Sequence, residues 1–280
     1  MSQSHPAIRI LSDLHLAHPG SRISDPQQIA PLLDGVGAVV FNGDTIEERM
    51  KRFSALGSQH LETLRTMCKE RDLDVHLIRG NHDPYTPPLG SLDLCGGQVF
   101  VTHGDVIYPD VSPWSRSVAS ARAALEQIEK DYPPDYRDDL EQSLEVSRRV
   151  TMEMQVCRPS KRAGLAGKLK TVLSQAWPPT RPLTILKVWT GAARAAETLS
   201  RYRPEAKVFL VGHTHRTFIH RRAGRVFVNT GAFLPMSSAW AVDILDAQVQ
   251  VREIRERAGE FVLGKVIGEV ELAGAPGTTL

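Results

Sequence analysis

Apolar residues fall into short runs of two kinds. Ile8–Leu11, Ala38–Phe41, "VHLI" at 75–78 and "VFVT" at 99–102 are compact blocks dominated by Val, Ile, Leu and Phe, which predicts buried strands. Between the second and third blocks, residues 46–70 carry Phe53, Leu56, Leu61, Leu64 and Met67 at helical spacing with charges elsewhere. That spacing predicts a helix with one face on a core. Strand blocks return after residue 207 as "KVFLVG", "RVFVNTG", "WAVDIL" and "VQVREI", and their closeness predicts antiparallel hairpins. The stretch 114–203 has almost no strand signal and reads as several helices broken at "DYPPDY" and "SQAWPPTRP". Alternating strands and helices predict an α/β fold. We read one domain over 1–280, with a helical cap inserted at 108–205 and a frayed tail, "AGAPGTTL".

Composition narrows this picture only slightly. The 280 residues are 41% hydrophobic and 24% charged, ordinary for a globular protein with a sizeable core. The net charge of +2 argues neither for nor against an anionic partner. The helical block is more informative: 121–147 hold eight Asp/Glu against three Lys/Arg, whereas 148–203 hold twelve Lys/Arg against two Glu. Cys68, Cys95 and Cys157 lie far apart with no C-x-x-C, so a disulfide scaffold is not expected. The N-terminal stretch lacks signal-peptide character and no apolar run is long enough for a bilayer, which predicts a cytoplasmic protein.

Chemistry concentrates where the strand blocks end. Asp13 and His15 follow the first, Asp44 the second, and Asn81, His82 and Asp83 the third; His103 and Asp105 follow "VFVT", and His213 and His215 follow "KVFLVG". On an extended segment Asp13 and His15, two residues apart, point the same way. Each cluster alone has an ordinary structural reading, such as a hydrogen-bonded pair, an Asn-containing turn or two surface histidines. Together they form a set of oxygen and nitrogen donors suited to Zn, Mn, Fe or Mg, placed where open α/β sheets gather ligands. Gly43, Gly80, Gly104 and Gly212 sit beside them and allow close backbone approach.

The order D-x-H, G-D, G-N-H-D, H-G-D, G-H-x-H, framing residues 7–231, resembles the calcineurin-like metallophosphoesterases. The resemblance implies a four-layer α/β/β/α sandwich of two mixed sheets with two divalent metal ions at one edge. It implies Asp13, His15 and His215 as ligands of one ion, Asn81, His103 and His213 of the other, and Asp44 as the bridge. His82 matches the histidine that contacts substrate phosphate and protonates the leaving group. Its carboxylate partner is either Asp83 or Glu47; in phosphatases of the family that partner lies three residues after the bridging Asp, which is the spacing of Glu47. Two cations about 3.5–4 Å apart would cancel phosphate charge and generate a nucleophile from water.

These motifs define a reaction class rather than a substrate. The long insertion, the "SDLHL" stretch and Asp110 after H-G-D resemble the UDP-2,3-diacylglucosamine pyrophosphatases, although those carry Arg where this chain has His82. The expectation is therefore a hydrolase of phosphoester or pyrophosphate bonds in a small-molecule, nucleotide- or lipid-linked substrate. In the cap, Ile185, Trp189, Ala192, Ala196 and Leu199 form an apolar stripe, while Lys187, Arg194 and Arg201 share another face. That face is either a solvated side or a contact to phosphates or a membrane surface. "KRAGLAGKLK" at 161–170 reads as a basic loop, and Trp114 as core or stacking platform. Two alternatives stand beside the leading one: a nuclease, disfavoured by the lack of a basic excess, and a non-catalytic scaffold, disfavoured because every ligand position is filled.

Overall fold

The structure, a computed structural model, describes residues 7–154 and 181–273. Cys157 and the basic stretch 161–170 lie outside the described residues. The fold is α/β, with two mixed sheets and helices. In the first sheet, β1 (Ile8–Leu11), β2 (Ala38–Asn42) and β3 (Asp74–Ile78) run parallel. Antiparallel β9 (Trp240–Leu245), β10 (Gln248–Arg257) and β11 (Glu260–Glu271) complete it in the order β11-β10-β9-β1-β2-β3. The second sheet has the order β4-β5-β6-β8-β7. Its β5 (Val99–Thr102), β6 (Val208–Val211) and β8 (Arg225–Asn229) are parallel, with β4 (Ser91–Leu94) and β7 (Phe218–Arg222) antiparallel at the edges.

The apolar blocks of β1, β2, β5 and β6 are continuous because both faces of these strands are covered. Alternate side chains then serve different layers. Ile8, Ile10 and Val40 meet Val99, Val101, Val208 and Leu210 between the sheets. Leu11, Val39 and Phe41 pack outward on Leu61, Leu64 and Met67 of α1 (Lys51–Lys69). On the other outer face, Phe100, Phe209 and Phe227 meet Leu140 and Leu144 of α3 (Leu140–Glu153) and Ala196 of α4 (Arg181–Ala196). Part of the segment read as a cap is therefore the outer layer of the second sheet. Its remaining helix, α2 (Val118–Ile128), joins α3 through Ala121, Ile128, Val146 and Val150.

Several details depart from the sequence expectation. The helix begins at Lys51, and Leu56 is 41% exposed while Phe53 is half-buried; the buried stripe runs through Leu61, Leu64, Met67 and Cys68. Strands β6 and β8 pair in parallel, because β7 intervenes in the chain and makes the hairpin with β8. On α4 and the 3-10 turn after it, Ala192, Ala196 and Leu199 are buried, Trp189 is 38% exposed, and Lys187, Arg194 and Arg201 face solvent. Among the described residues no helix is long and apolar enough to cross a membrane.

Candidate metal centre

The ends of β1, β2, β3, β5 and β6 meet at one edge of the sandwich, and cross-links between the sheets hold them there. Asn42 Nδ2 donates to the Thr102 carbonyl (3.0 Å) and His103 Nδ1–H donates to the Asn42 carbonyl (3.1 Å). The loops after β1 and β2 run side by side. Asp13 N–H donates to Gly43 O (3.0 Å), His15 N–H to Asp44 O (2.8 Å) and Leu16 N–H to Thr45 O (2.9 Å). Asp13 and His15 are not on an extended segment: β1 stops at Leu11, and their φ values are 52° and 49°. Asp44, His213 and His215 are left-handed too, at 50°, 66° and 56°. Strand alternation predicted the right neighbours, but the loop geometry is what aims them. The backbone also comes unusually close: a Cβ on Gly80 would collide with Asp44 Oδ1, and one on Gly212 with Asp13 Oδ2.

Two groups of donors flank Asp44. Asp13, His15, Asp44 and His215 each present one atom within 4.8 Å of the others. His15 Nε2 lies 3.2 Å from His215 Nε2, 3.8 Å from Asp13 Oδ1 and 3.7 Å from Asp44 Oδ2. On the other side, His103 Nε2 lies 3.4 Å from the same Asp44 Oδ2, and the His103 and His213 rings are 5.1 Å apart. Asn81 is buried nearby in sequence on the β3 loop. His213 Nε2–H donates to the Val111 carbonyl (2.7 Å), which leaves its Nδ1 as the atom with a lone pair.

Asp44 Oδ2, Asn81 Oδ1, His103 Nε2 and His213 Nδ1 are all buried without a hydrogen-bond partner. Leaving such an atom unsatisfied costs about 1–3 kcal/mol. Without a cation, a protonated His103 Nε2 faces Asp44 Oδ2 at a long 3.4 Å, while Asn81 Oδ1 and His213 Nδ1 offer lone pairs that no donor meets. A cation taking the place of the His103 proton satisfies several such atoms at once. The donor set, carboxylates, imidazoles and one amide with no thiolate, fits divalent ions that take oxygen and nitrogen.

The charges are interdependent. Burial opposes ionisation of Asp44, but the positive charges of His103 and His82 outweigh it and hold the carboxyl well below its usual range. Burial likewise disfavours charge on His103, yet Asp44 overrides it and raises His103 well above the ordinary value. Burial pushes His15 far down, and takes His213 to about 4 with help from His103. His82 is pushed up to about 9: burial pulls it down, and the Asp44 and Glu47 carboxylates more than compensate.

Of the two carboxylates expected beside His82, the structure brings up Glu47. His82 Nδ1–H donates to Glu47 Oε2 at 2.7 Å, and Met50 N–H holds Oε1 at 2.9 Å. Asp83 does not pair with His82. Its buried carboxylate accepts the backbone N–H groups of Asp44 (3.0 Å), Thr45 (2.7 Å), Ile46 (3.4 Å) and Gly80 (2.7 Å). It is a clamp between the loops after β2 and β3.

A family model for calcineurin-like phosphoesterases matches residues 7–217. The chain belongs to the calcineurin-like phosphoesterase family. Its members bind divalent metals, and this chain carries candidate ligand clusters for them. Similar solved structures include a Vps29 double mutant from Entamoeba histolytica, at 13% identity over 95% of this chain and 99% of that one, with a TM-score of 0.46. A dimetal phosphatase from Danio rerio has 13% identity over 93% and 99% of the two chains and a TM-score of 0.43. The phosphoesterase Yfce from E. coli has 11% identity over 95% and 99%, with a TM-score of 0.42. No curated protein sequence matches the chain.

Around these donor groups the structure adds Tyr108 and His18, which the sequence reading did not single out, and brings in Trp114, which it read as core or stacking platform. Tyr108 and Trp114 stand over the His213 ring at 5.8 and 5.0 Å, so Trp114 meets the centre at its edge. His18 sits 5.6 Å from both His15 and His82, ring to ring. Burial lowers His18 to about 4. Only its position three residues beyond His15 hinted at this, and nothing in the motif order marks it.

Proposed function

We propose that this family member hydrolyses phosphoric ester or pyrophosphate bonds through a centre of two divalent cations. The observation that carries the proposal is the set of buried atoms without a hydrogen-bond partner, Asp44 Oδ2, Asn81 Oδ1, His103 Nε2 and His213 Nδ1, with His103 Nε2 3.4 Å from Asp44 Oδ2, beside the Asp13–His15–His215 group. In this reading Asp13, His15 and His215 hold one ion, Asn81, His103 and His213 hold the second, and Asp44 serves both. Mn, Zn, Fe and Mg all suit these donors. When bound, the pair would neutralise phosphoryl charge and make water nucleophilic near neutral pH. Asn81 contributes a neutral oxygen and so limits negative charge where a phosphate anion must enter. His82, fixed at Nδ1 by buried Glu47, presents Nε2 to the leaving group and donates its proton there.

The substrate reading is nucleotide- or lipid-linked, with the part of the insertion around Val111 and Trp114 as its cap, while α3 and α4 cover the second sheet. Support comes from the Val111 carbonyl and Trp114 ring reaching His213. The solvent-facing Lys187, Arg194 and Arg201 provide a basic surface for an anionic substrate or membrane. The deciding experiment is metal analysis combined with hydrolysis of bis-p-nitrophenyl phosphate. Two equivalents of metal with metal-dependent turnover are expected. Full metal occupancy without turnover on ester, pyrophosphate or nucleic-acid substrates would make the protein a scaffold; preference for DNA or RNA would make it a nuclease.

A further inference from the structure

Among the described residues, His18 is the one imidazole at the centre used neither by the proposed ligand groups nor by the Glu47–His82 pair. Its backbone is anchored, with His18 N–H donating to the His15 carbonyl at 3.0 Å. Its ring stands nearly perpendicular to that of His82, at 88°, with centroids 5.6 Å apart. His18, Glu47 and His82 each place a nitrogen or oxygen within 4.8 Å of the others.

That grouping invites a third cation, but the hydrogen bonds argue against one. Gly20 N–H donates to His18 Nδ1 at 3.0 Å, so the lone pair is committed there and the neutral ring carries its proton on Nε2. Both Glu47 oxygens are taken, by Met50 N–H and His82 Nδ1–H. What remains is a donor: among the described residues, no group accepts the His18 Nε2–H. The turn is built to keep the ring there. A Cβ on Gly20 would stand 3.2 Å from His18 Cε1 and Nδ1, tighter than ordinary contact.

We propose that His18 is a substrate-binding residue whose Nε2–H donates to a non-bridging phosphoryl oxygen beside His82. The proposal rests on the phosphoesterase reading above. A fixed, half-buried N–H aimed at an anion is pre-organised and adds no charge that would repel the neighbouring cations.

The test measures binding of inorganic phosphate to the Mn²⁺-loaded protein by titration calorimetry, alongside metal analysis. His18→Phe keeps the ring volume and removes the donor; His18→Gln restores an N–H near the same place. With metal content unchanged, His18→Phe should weaken phosphate binding at least about tenfold, the low end for a hydrogen bond to a charged group. His18→Gln should recover most of it. Unchanged affinity in His18→Phe, with its metals in place, overturns the role of His18 alone. Loss of metal in both variants makes His18 part of the metal-holding structure and also overturns it. A metal-loaded wild-type protein that binds no phosphate overturns the phosphoesterase reading, and this proposal with it.

Discussion

Gly80→Ala is the smallest change that should disable the centre. A Cβ at position 80 would lie 2.5 Å from Asp44 N and 3.0 Å from Asp44 Cγ, where ordinary contact begins at 3.4 Å. Relief needs a relative shift of nearly 1 Å, and neither side is free to give it. Asp44 N–H is held by Asp83 Oδ1 (3.0 Å), the Asp44 carbonyl by His15 N–H (2.8 Å) and Asp44 Oδ1 by His82 N–H (2.7 Å). Gly80 N–H is itself bound to Asp83 Oδ1 at 2.7 Å. Overpacking of this kind costs about 1–3 kcal/mol, and a misplacement of ~1 Å lowers turnover by about 10²-fold. The assay is metal content, bis-p-nitrophenyl phosphate turnover and thermal melting, compared with Gly191→Ala in α4. A Cβ on Gly191 would meet nothing within 4 Å, and its φ is not left-handed, so that variant should gain about 0.5–1 kcal/mol and keep full activity. If Gly80→Ala retained full metal and turnover within a factor of two, Asp44 would not be held as tightly as argued.

Glu47→Gln keeps the side-chain shape but removes the charge facing His82 Nδ1; turnover should fall by about 10–100-fold with metals retained, and by less for a p-nitrophenyl leaving group. A variant equally impaired on good and poor leaving groups would separate Glu47 from proton donation. Asp243→Ala strips buried Arg9 of two contacts at 2.7 and 3.0 Å, which should cost about 3–5 kcal/mol; a urea midpoint unchanged at constant m-value would refute it. Cys68 is buried, and burial raises its thiol to about 11. Peptide mapping after iodoacetamide should find Cys68 and Cys95 unmodified in the folded protein and modified only after unfolding.

The central strands were legible because each is an apolar block covered on both faces, and their polar ends marked the centre. Edge strand β3 was legible too, from its "VHLI" run, but the other edge strands were not. β7 (FIHRR) and β4 (SLDL) are only partly covered, so they lack a clear apolar run. β11 is long and mixed, and gains its order by pairing with β10 along its length. Residue chemistry left both Glu47 and Asp83 open as partners for His82, and only the spacing in the family pointed to Glu47. The two were separated by backbone geometry: Asp83 faces four N–H groups, a demand that no side-chain pattern announces. His18 escaped notice because its role depends on a turn that brings its ring back over His82.

Strain explains why folding and chemistry share atoms at this edge. Asp13, His15, Asp44, His213 and His215 all adopt left-handed backbone, at about 1–2 kcal/mol each. Their sum is comparable to a domain's whole stability of about 5–15 kcal/mol, so local bonds must offset it. Asp83 clamps the turn at Asp44, and the Asp13 carboxylate accepts the His213 N–H at 3.1 and 3.2 Å. Asp13 thus ties the loop after β1 to the loop after β6 with the same oxygens proposed to face a cation. Removing its carboxylate takes away a donor and releases a strained turn on the opposite sheet. Activity lost on substitution here therefore reports chemistry only when the fold and the geometry of His213 are shown to survive. Glu47 is the cleaner probe. Among the described residues its carboxylate holds only the Met50 N–H and His82, and neither of those has a left-handed backbone.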